Sequence, residues 1–231
     1  MPEQDSSITT RKFRAFLFDM DGTIINSAAA AERVWGVWAL RHGLDLATFL
    51  PTMHGARAED TIAKLGLPGV DAQAEALGIT QAEVDDVEGI VQIPGAANFL
   101  SSLPTDKWAI VTSAPVALAT RRLQAAGIPL PAVMVTAEEV SAGKPSPEGY
   151  ILAAKKLGVA PTDCLVFEDA AVGIRAGEAA GAAVVVITAS HKHPMETSHA
   201  TVASYEDLVA RIDGNGYLAL EVKPGEAART I

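Results

Sequence analysis

The stretch FRAFLFDMDGT, residues 13–23, sets a short apolar run directly against two aspartates, a glycine and a threonine. Near-continuous apolar runs of this length suit strands buried on both faces, as in a parallel sheet covered by helices. Four more follow: KWAIV at 107–111, AVMV at 132–135, CLVF at 164–167 and AVVVI at 183–187. Between them lie segments with helical spacing that close on glycine, the residue that most readily adopts the left-handed C-terminal turn. These are 115–126 before Gly127, 147–157 before Gly158 and 173–180 before Gly181. The alternation predicts an α/β fold with a doubly wound parallel-sheet (Rossmann-like) core.

Residues 27–91 break that alternation. They hold no strand pattern and read as four helices, at 28–41, 57–65, 71–77 and 81–89, the last two parted by Gly78 and a cap-like Thr80. A small inserted α-helical cap domain is therefore expected between two parts of the core, 11–26 and 92–213, with hinges near 25–27 and 92–95. An insertion over one end of an α/β sheet is suited to work as a lid. Gly214-Asn215-Gly216 signals a turn, and YLALEV at 217–222 an edge strand in a C-terminal extension, 214–231. Residues 1–10 read as a disordered lead and 224–231 as a frayed tail.

Composition limits the partners. The 231 residues are 49% hydrophobic, enough for a sizeable core without disulfides, and Cys164 is the single cysteine. A formal net charge of -10 repels nucleic-acid phosphates and anionic lipid. No run has the length of a membrane span or the character of a signal peptide, so a cytoplasmic protein is expected, and a capped core is expected to be a monomer. Any anionic substrate would have to be met by local cations against this global field.

In open α/β sheets ligands bind beyond the carboxyl ends of the strands. The first strand delivers Asp19, Asp21 and Gly22 there, the second Thr112 and Ser113, the loop after the third Lys144, and the fourth Glu168 and Asp169. Two carboxylates two residues apart repel unless a cation sits between them, and Mg²⁺ favours such hard oxygen ligands. Asp19 then suits a nucleophile towards phosphorus and Asp21 a proton donor and acceptor. Gly22 permits a tight, anion-binding backbone path, while the amide of Ser113 at a helix start attracts phosphate. Lys144 supplies a point charge. Glu168 and Asp169 complete a metal shell or cap the next helix. Each cluster alone also reads as a solvated loop or an N-cap; together they supply every part that phosphoryl transfer needs. His191-Lys192-His193 reads as a solvated loop.

The motifs DMDGT (19–23), VTS (111–113), GKPSPEGY (143–150) and FEDAAVGIRAG (167–177) resemble, in order, those of the haloacid dehalogenase-like hydrolase superfamily. The resemblance implies Asp19 as nucleophile and metal ligand, and Asp21 as acid and base with its backbone carbonyl on Mg²⁺. It also implies Thr112 and Lys144 on the phosphate, and Asp169 with Glu168 at the metal. Within the superfamily, DGTIINS (21–27), HGARAEDTI (54–62) and IPGAANFLSSLP (93–104) look most like phosphatases of sugar and polyol phosphates. That likeness makes His54, Gly55 and Arg57 the expected substrate contacts of the cap and a small phosphate monoester the expected substrate.

Other readings differ at identifiable places. A β-phosphoglucomutase-like mutase shares the core motifs, but this chain has Ala31, His54 and Ala58 where such mutases carry histidine, lysine and arginine. A dehalogenase does not need Asp21. A phosphonate hydrolase needs a cap-loop lysine, and Lys64 lies on an expected helix. A catalytically silent phosphate-binding protein would have no use for Asp21.

Overall fold

The computed structural model describes residues 7–223. Six parallel strands form the main sheet, in the spatial order Met134–Val135, Trp108–Val111, Ala15–Phe18, Cys164–Glu168, Ala183–Ile187, Ala200–Val202. The chain therefore runs outwards from Ala15–Phe18 in one direction and then in the other, which opens a crevice at the carboxyl end of that first strand.

Alternation along the strands divides the interior into two unlike halves. Phe16, Phe18, Phe167, Trp108 and Ile110 face one side, together with Phe99 and Leu100 of the helix Ala96–Ser101 and Leu118 and Leu123 of the helix Val116–Ala125. Phe18 and Phe167 stack with centroids 4.4 Å apart, and Phe16 meets Phe167 edge-on at 5.3 Å. Ala15, Leu17, Ala109, Val111, Cys164 and Val166 face the other side, under the helices Glu148–Lys156 and Ala171–Ala179. No helix among the described residues is long and apolar enough to cross a membrane.

The inserted helices, Ala28–Arg41, Leu46–Phe49, Ala58–Leu65 and Ala72–Asp85, close over their own cluster of Trp35, Trp38, Phe49, Met53, Ile62 and Ile79. The chain enters and leaves this cap through two short antiparallel strands, Ile25–Asn26 and Val91–Gln92, which lie side by side where the hinges were expected.

Four details differ from the sequence reading. Gly78 does not divide two helices: Ala72–Asp85 is continuous, capped by Asp71 on the amides of Gln73 and Ala74, and Gly78 and Thr80 are interior to it. Only Ile79 and Glu83 of this helix are buried, so it has one narrow inward stripe and its glycine faces water. The expected edge strand, Leu218–Val222, lies instead in the middle of a separate antiparallel sheet, between Lys12–Phe13 and Leu208–Ile212. Arg14 breaks the first apolar run, which is why Lys12–Phe13 joins that second sheet and Ala15–Phe18 the main one. Ser7–Thr10 of the expected disordered lead is a helical turn anchored by buried Ile8; residues 1–6 and 224–231 lie outside the described residues.

A glycine in an exposed helix interior is less favourable than alanine by about 0.5–1 kcal/mol, and a Cβ at Gly78 meets nothing within 4 Å. Gly78→Ala should raise the unfolding free energy by about that amount in urea titrations. A loss of stability would contradict the continuous helix.

Candidate active site

Asp19 follows the first core strand and donates its amide to the Phe167 carbonyl at 2.9 Å, which fixes it between two strand ends. The chain then coils so that the Met20 carbonyl accepts from the amides of Thr23, Ile24 and Ile25. Gly22 sits within this coil at φ 87°, and a Cβ there would lie 2.0 Å from Asp169 Oδ2. Glycine is thus what lets the Asp169 carboxylate come down beside the first motif, where Thr23 Oγ1 donates to it at 3.3 Å.

Lys144 reaches the same place from the loop before Glu148–Lys156. Its Nζ donates to Asp19 Oδ1 at 2.5 Å, to Glu168 Oε1 at 2.6 Å and to the Val111 carbonyl at 3.3 Å. Glu168 is 1% exposed. Its Oε1 also accepts from Tyr150 Oη, and its Oε2 from the amides of Asp169 and Ala170. A Cβ on Gly173 would lie 1.5 Å from Glu168 Oε1, so the following helix is cut away to seat this carboxylate. Asp19, Glu168 and Asp169 each bring a carboxylate oxygen within 4.8 Å of the others, a hard-oxygen set that fits a divalent metal ion.

Burial dominates the electrostatics. It pushes the Asp19 carboxyl from 3.8 up to about 7, with Lys144 opposing and Glu168 and Asp21 assisting. Burial, helped by Asp19 and Glu168, raises Asp169 well above the usual range. Burial also works against charge on Lys144, but Asp19 and Glu168 outweigh it and hold the ammonium above its ordinary pKa.

Asp21 points away from this triad. Its Oδ1 accepts from Ser27 Oγ at 2.5 Å and from Arg122 Nη1 at 2.9 Å. Arg122 Nη2 donates at 2.9 Å to Glu83 of the cap. The sequence reading missed both partners. The signal was present in the helical spacing, since Leu118, Ala119, Arg122 and Leu123 share one buried face of Val116–Ala125. An arginine on such a face demands a partner.

The remaining expected residues are placed as follows. Asp19, Asp21, His54, Gly55, Thr112 and Ser113 line one cavity, which Glu83 and Arg122 also line. Asp21, Gly22, His54, Gly55 and Asp169 line an adjoining open groove. Burial lowers the pKa of His54, which favours the uncharged imidazole. The Ser113 hydroxyl is spent on the Gly55 carbonyl at 2.9 Å, a direct tie between core and cap. Helix Val116–Ala125 begins beyond Ser113, and its first amide is already taken by Glu138. Arg57 is not brought to the Asp19 cavity. It pairs with Asp60 at 2.7 Å, reaches the Val140 carbonyl at 3.4 Å and lines a neighbouring recess with Lys144, Thr112 and Ser113. The His191 ring donates from Nε2 to the Asp169 carbonyl at 2.9 Å, and Lys192, exposed as expected of a solvated loop, pairs with Glu32 of the cap.

A family model described as haloacid dehalogenase-like hydrolase matches residues 13–181, the span that carries every one of these strand ends. The chain belongs to the haloacid dehalogenase-like hydrolase family. Among curated members it is 38% identical to hexitol phosphatase A of Escherichia coli over 213 residues, 90% of this chain and 99% of that one. It is 37% identical to 2-deoxyglucose-6-phosphate phosphatase 2 of Saccharomyces cerevisiae, covering 76% of this chain and 80% of that one. Among solved structures a hydrolase from Pseudomonas syringae superposes with a TM-score of 0.69 at 28% identity, over 78% of this chain and 87% of that one.

The raised carboxyl of Asp19 has a consequence for stability. A carboxyl that holds its proton more tightly when folded favours the fold while protonated. That contribution is full below 3.8 and is withdrawn as pH rises through about 7. In the presence of a chelator, thermal stability should therefore decline across this window, less so in Asp19→Asn, and Mg²⁺ added at the upper end should restore it. Equal declines in the two proteins would contradict the burial of a charge-bearing Asp19.

Proposed function

We propose that this enzyme is a Mg²⁺-dependent phosphatase that hydrolyses small phosphate monoesters, sugar or polyol phosphates, through an aspartyl-phosphate on Asp19. The observation that carries the reading is the Lys144 ammonium held on Asp19 Oδ1. It orients that carboxylate and leaves Asp19 Oδ2, to which no described residue donates a hydrogen bond, as the attacking atom.

Asp19, Asp169 and the Asp21 backbone carbonyl are the groups we assign to the metal. Glu168 belongs to the same carboxylate set, but both its oxygens already accept from four donors, so we assign it to holding Lys144. Bound there, Mg²⁺ offsets the crowded negative charge and that of the phosphoryl oxygens.

Asp19 attacks phosphorus, forming one P–O bond as the ester P–O bond breaks, and Asp21 gives a proton to the departing alkoxide. Lys144 and the Thr112 hydroxyl hold the equatorial oxygens. Asp21 then takes a proton from a water that attacks the aspartyl-phosphate, and inorganic phosphate leaves. The cap shuts out bulk water during the first step and readmits it for the second. Its contribution to substrate choice comes from His54 and the walls of the cavity that Trp35 and Met53 also line. The names of the curated relatives, a hexitol phosphatase and a 2-deoxyglucose-6-phosphate phosphatase, support the substrate class. A mutase would need to grip a second phosphate. In this cavity Arg122 is already committed to two carboxylates, Arg57 is paired with Asp60, and burial disfavours charge on His54. We place the enzyme in the cytoplasm as a monomer.

Phosphate release from hexitol, hexose and glycerol phosphates, with and without Mg²⁺, tests the reading. Metal-dependent release is expected, abolished by Asp19→Asn and reduced about 10²–10⁴-fold by Asp21→Asn. Full activity of the Asp19→Asn variant would refute the covalent route.

A further inference from the structure

Lys144 and Arg122 are the two cations buried among the described residues, and the reaction above gives a task to the first alone. Arg122 belongs to the core helix Val116–Ala125, and its planar fork joins two carboxylates that come from different domains. Nη1 meets Asp21 Oδ1 and Nη2 meets Glu83 Oε1, each at 2.9 Å. Glu83 comes from the cap helix Ala72–Asp85, where Ile79 and Glu83 form the buried stripe. The side chains of Arg122 and Glu83 are only 6% and 8% exposed.

Stability alone does not explain such a residue. Burying a guanidinium between carboxylates costs desolvation that an apolar residue of similar volume avoids, often with equal or better stability. Here Nε is buried as well and has no partner among the described residues, so the arginine is not even fully satisfied. What the placement achieves is orientation. Asp21 Oδ1 is held by Arg122 and by Ser27 Oγ at 2.5 Å. No described residue donates to Oδ2, so that oxygen is left to exchange the proton.

We propose that Arg122 is a positioning residue of this enzyme: it fixes the Asp21 carboxylate by one oxygen so that the other is presented to the leaving group and then to water. Glu83 holds the second arm of the fork, so this fix is complete only when the cap is seated on the core. Both arms are occupied by protein carboxylates, and substrate binding does not depend on them.

The inference rests on Asp21 being the acid and base, so Asp21→Asn is assayed beside the test variants. Arg122→Lys keeps the charge but loses the planar fork, and a single ammonium cannot reproduce its two fixed hydrogen bonds. Glu83→Gln keeps a hydrogen-bond acceptor on the cap and loses the charge. With sorbitol 6-phosphate, or whichever ester the wild type turns over fastest, Arg122→Lys should lower kcat by about 10–100-fold while KM stays within about threefold, the pattern of a misplaced catalytic group. Glu83→Gln should show a smaller fall of the same kind. The double variant should be no worse than Arg122→Lys alone, because both act through one interaction. Should Arg122→Lys fail to fold, as judged by circular dichroism, the kcat and KM of Glu83→Gln decide the matter. A raised KM with unchanged kcat would make these residues substrate contacts and overturn the proposal. Unchanged kinetics beside an inactive Asp21→Asn would overturn it while leaving the role of Asp21 standing; an active Asp21→Asn would remove the assignment beneath it.

Discussion

An ammonium group enclosed between two carboxylates is the constraint on which the site is built. Lys144 is almost wholly out of water, and so are Asp19 and Glu168. In such surroundings an unpaired charge is very costly, and loss of one member of a buried pair typically costs about 3–5 kcal/mol. The backbone around the triad answers to that cost. Tyr150 and two amides hold Glu168, Gly173 is cut away to admit it, and the Phe167 carbonyl fixes the amide of Asp19. Strand order brings these parts together, because Ala15–Phe18 lies between Trp108–Val111 and Cys164–Glu168.

The cap meets the core through contacts of a different kind. Gly55 accepts from Ser113, Arg57 reaches the Val140 carbonyl, Glu32 pairs with Lys192, and Glu83 pairs with Arg122. The first three are partly exposed and individually weak, which fits the cap movement proposed for the reaction. The fourth is buried and runs on to Asp21. Closure over the cavity and the setting of Asp21 are thereby parts of one network, while the Lys144 triad sits in the core and does not involve the cap.

Much of this was legible in the sequence because it rests on short-range pattern. Buried parallel strands are continuous apolar runs, and a residue that ends such a run must emerge at the carboxyl edge, so Asp19, Thr112 and Glu168 were readable as neighbours. Gly78 misled because a glycine marks a helix end only when its left-handed conformation is used, and here the capping of Asp71 and the Ile79–Glu83 stripe carry the helix through it. Leu218–Val222 was readable as a strand but not as a central one, since its neighbour Lys12–Phe13 lies at the far end of the chain. Ala200–Val202 escaped notice because a three-residue strand on a sheet edge has no apolar run to announce it. The charged partnerships were hardest. Arg57 resembled a substrate contact by its place on a cap loop, yet Asp60 three residues on claims it. Arg122 carried a readable burial signal but no hint that Asp21, far away in sequence, was its partner.

The central claim is that phosphorus passes through a covalent bond to Asp19. Rapid mixing of enzyme, Mg²⁺ and substrate, with an acid quench at successive times and mass analysis of the peptides, tests it most directly. The account requires a phosphoryl group on the peptide containing Asp19 that rises and decays with turnover. Full phosphate release with that peptide unmodified at every time would mean that water attacks the ester directly, and the roles given to Asp19 and Asp21 would have to be abandoned.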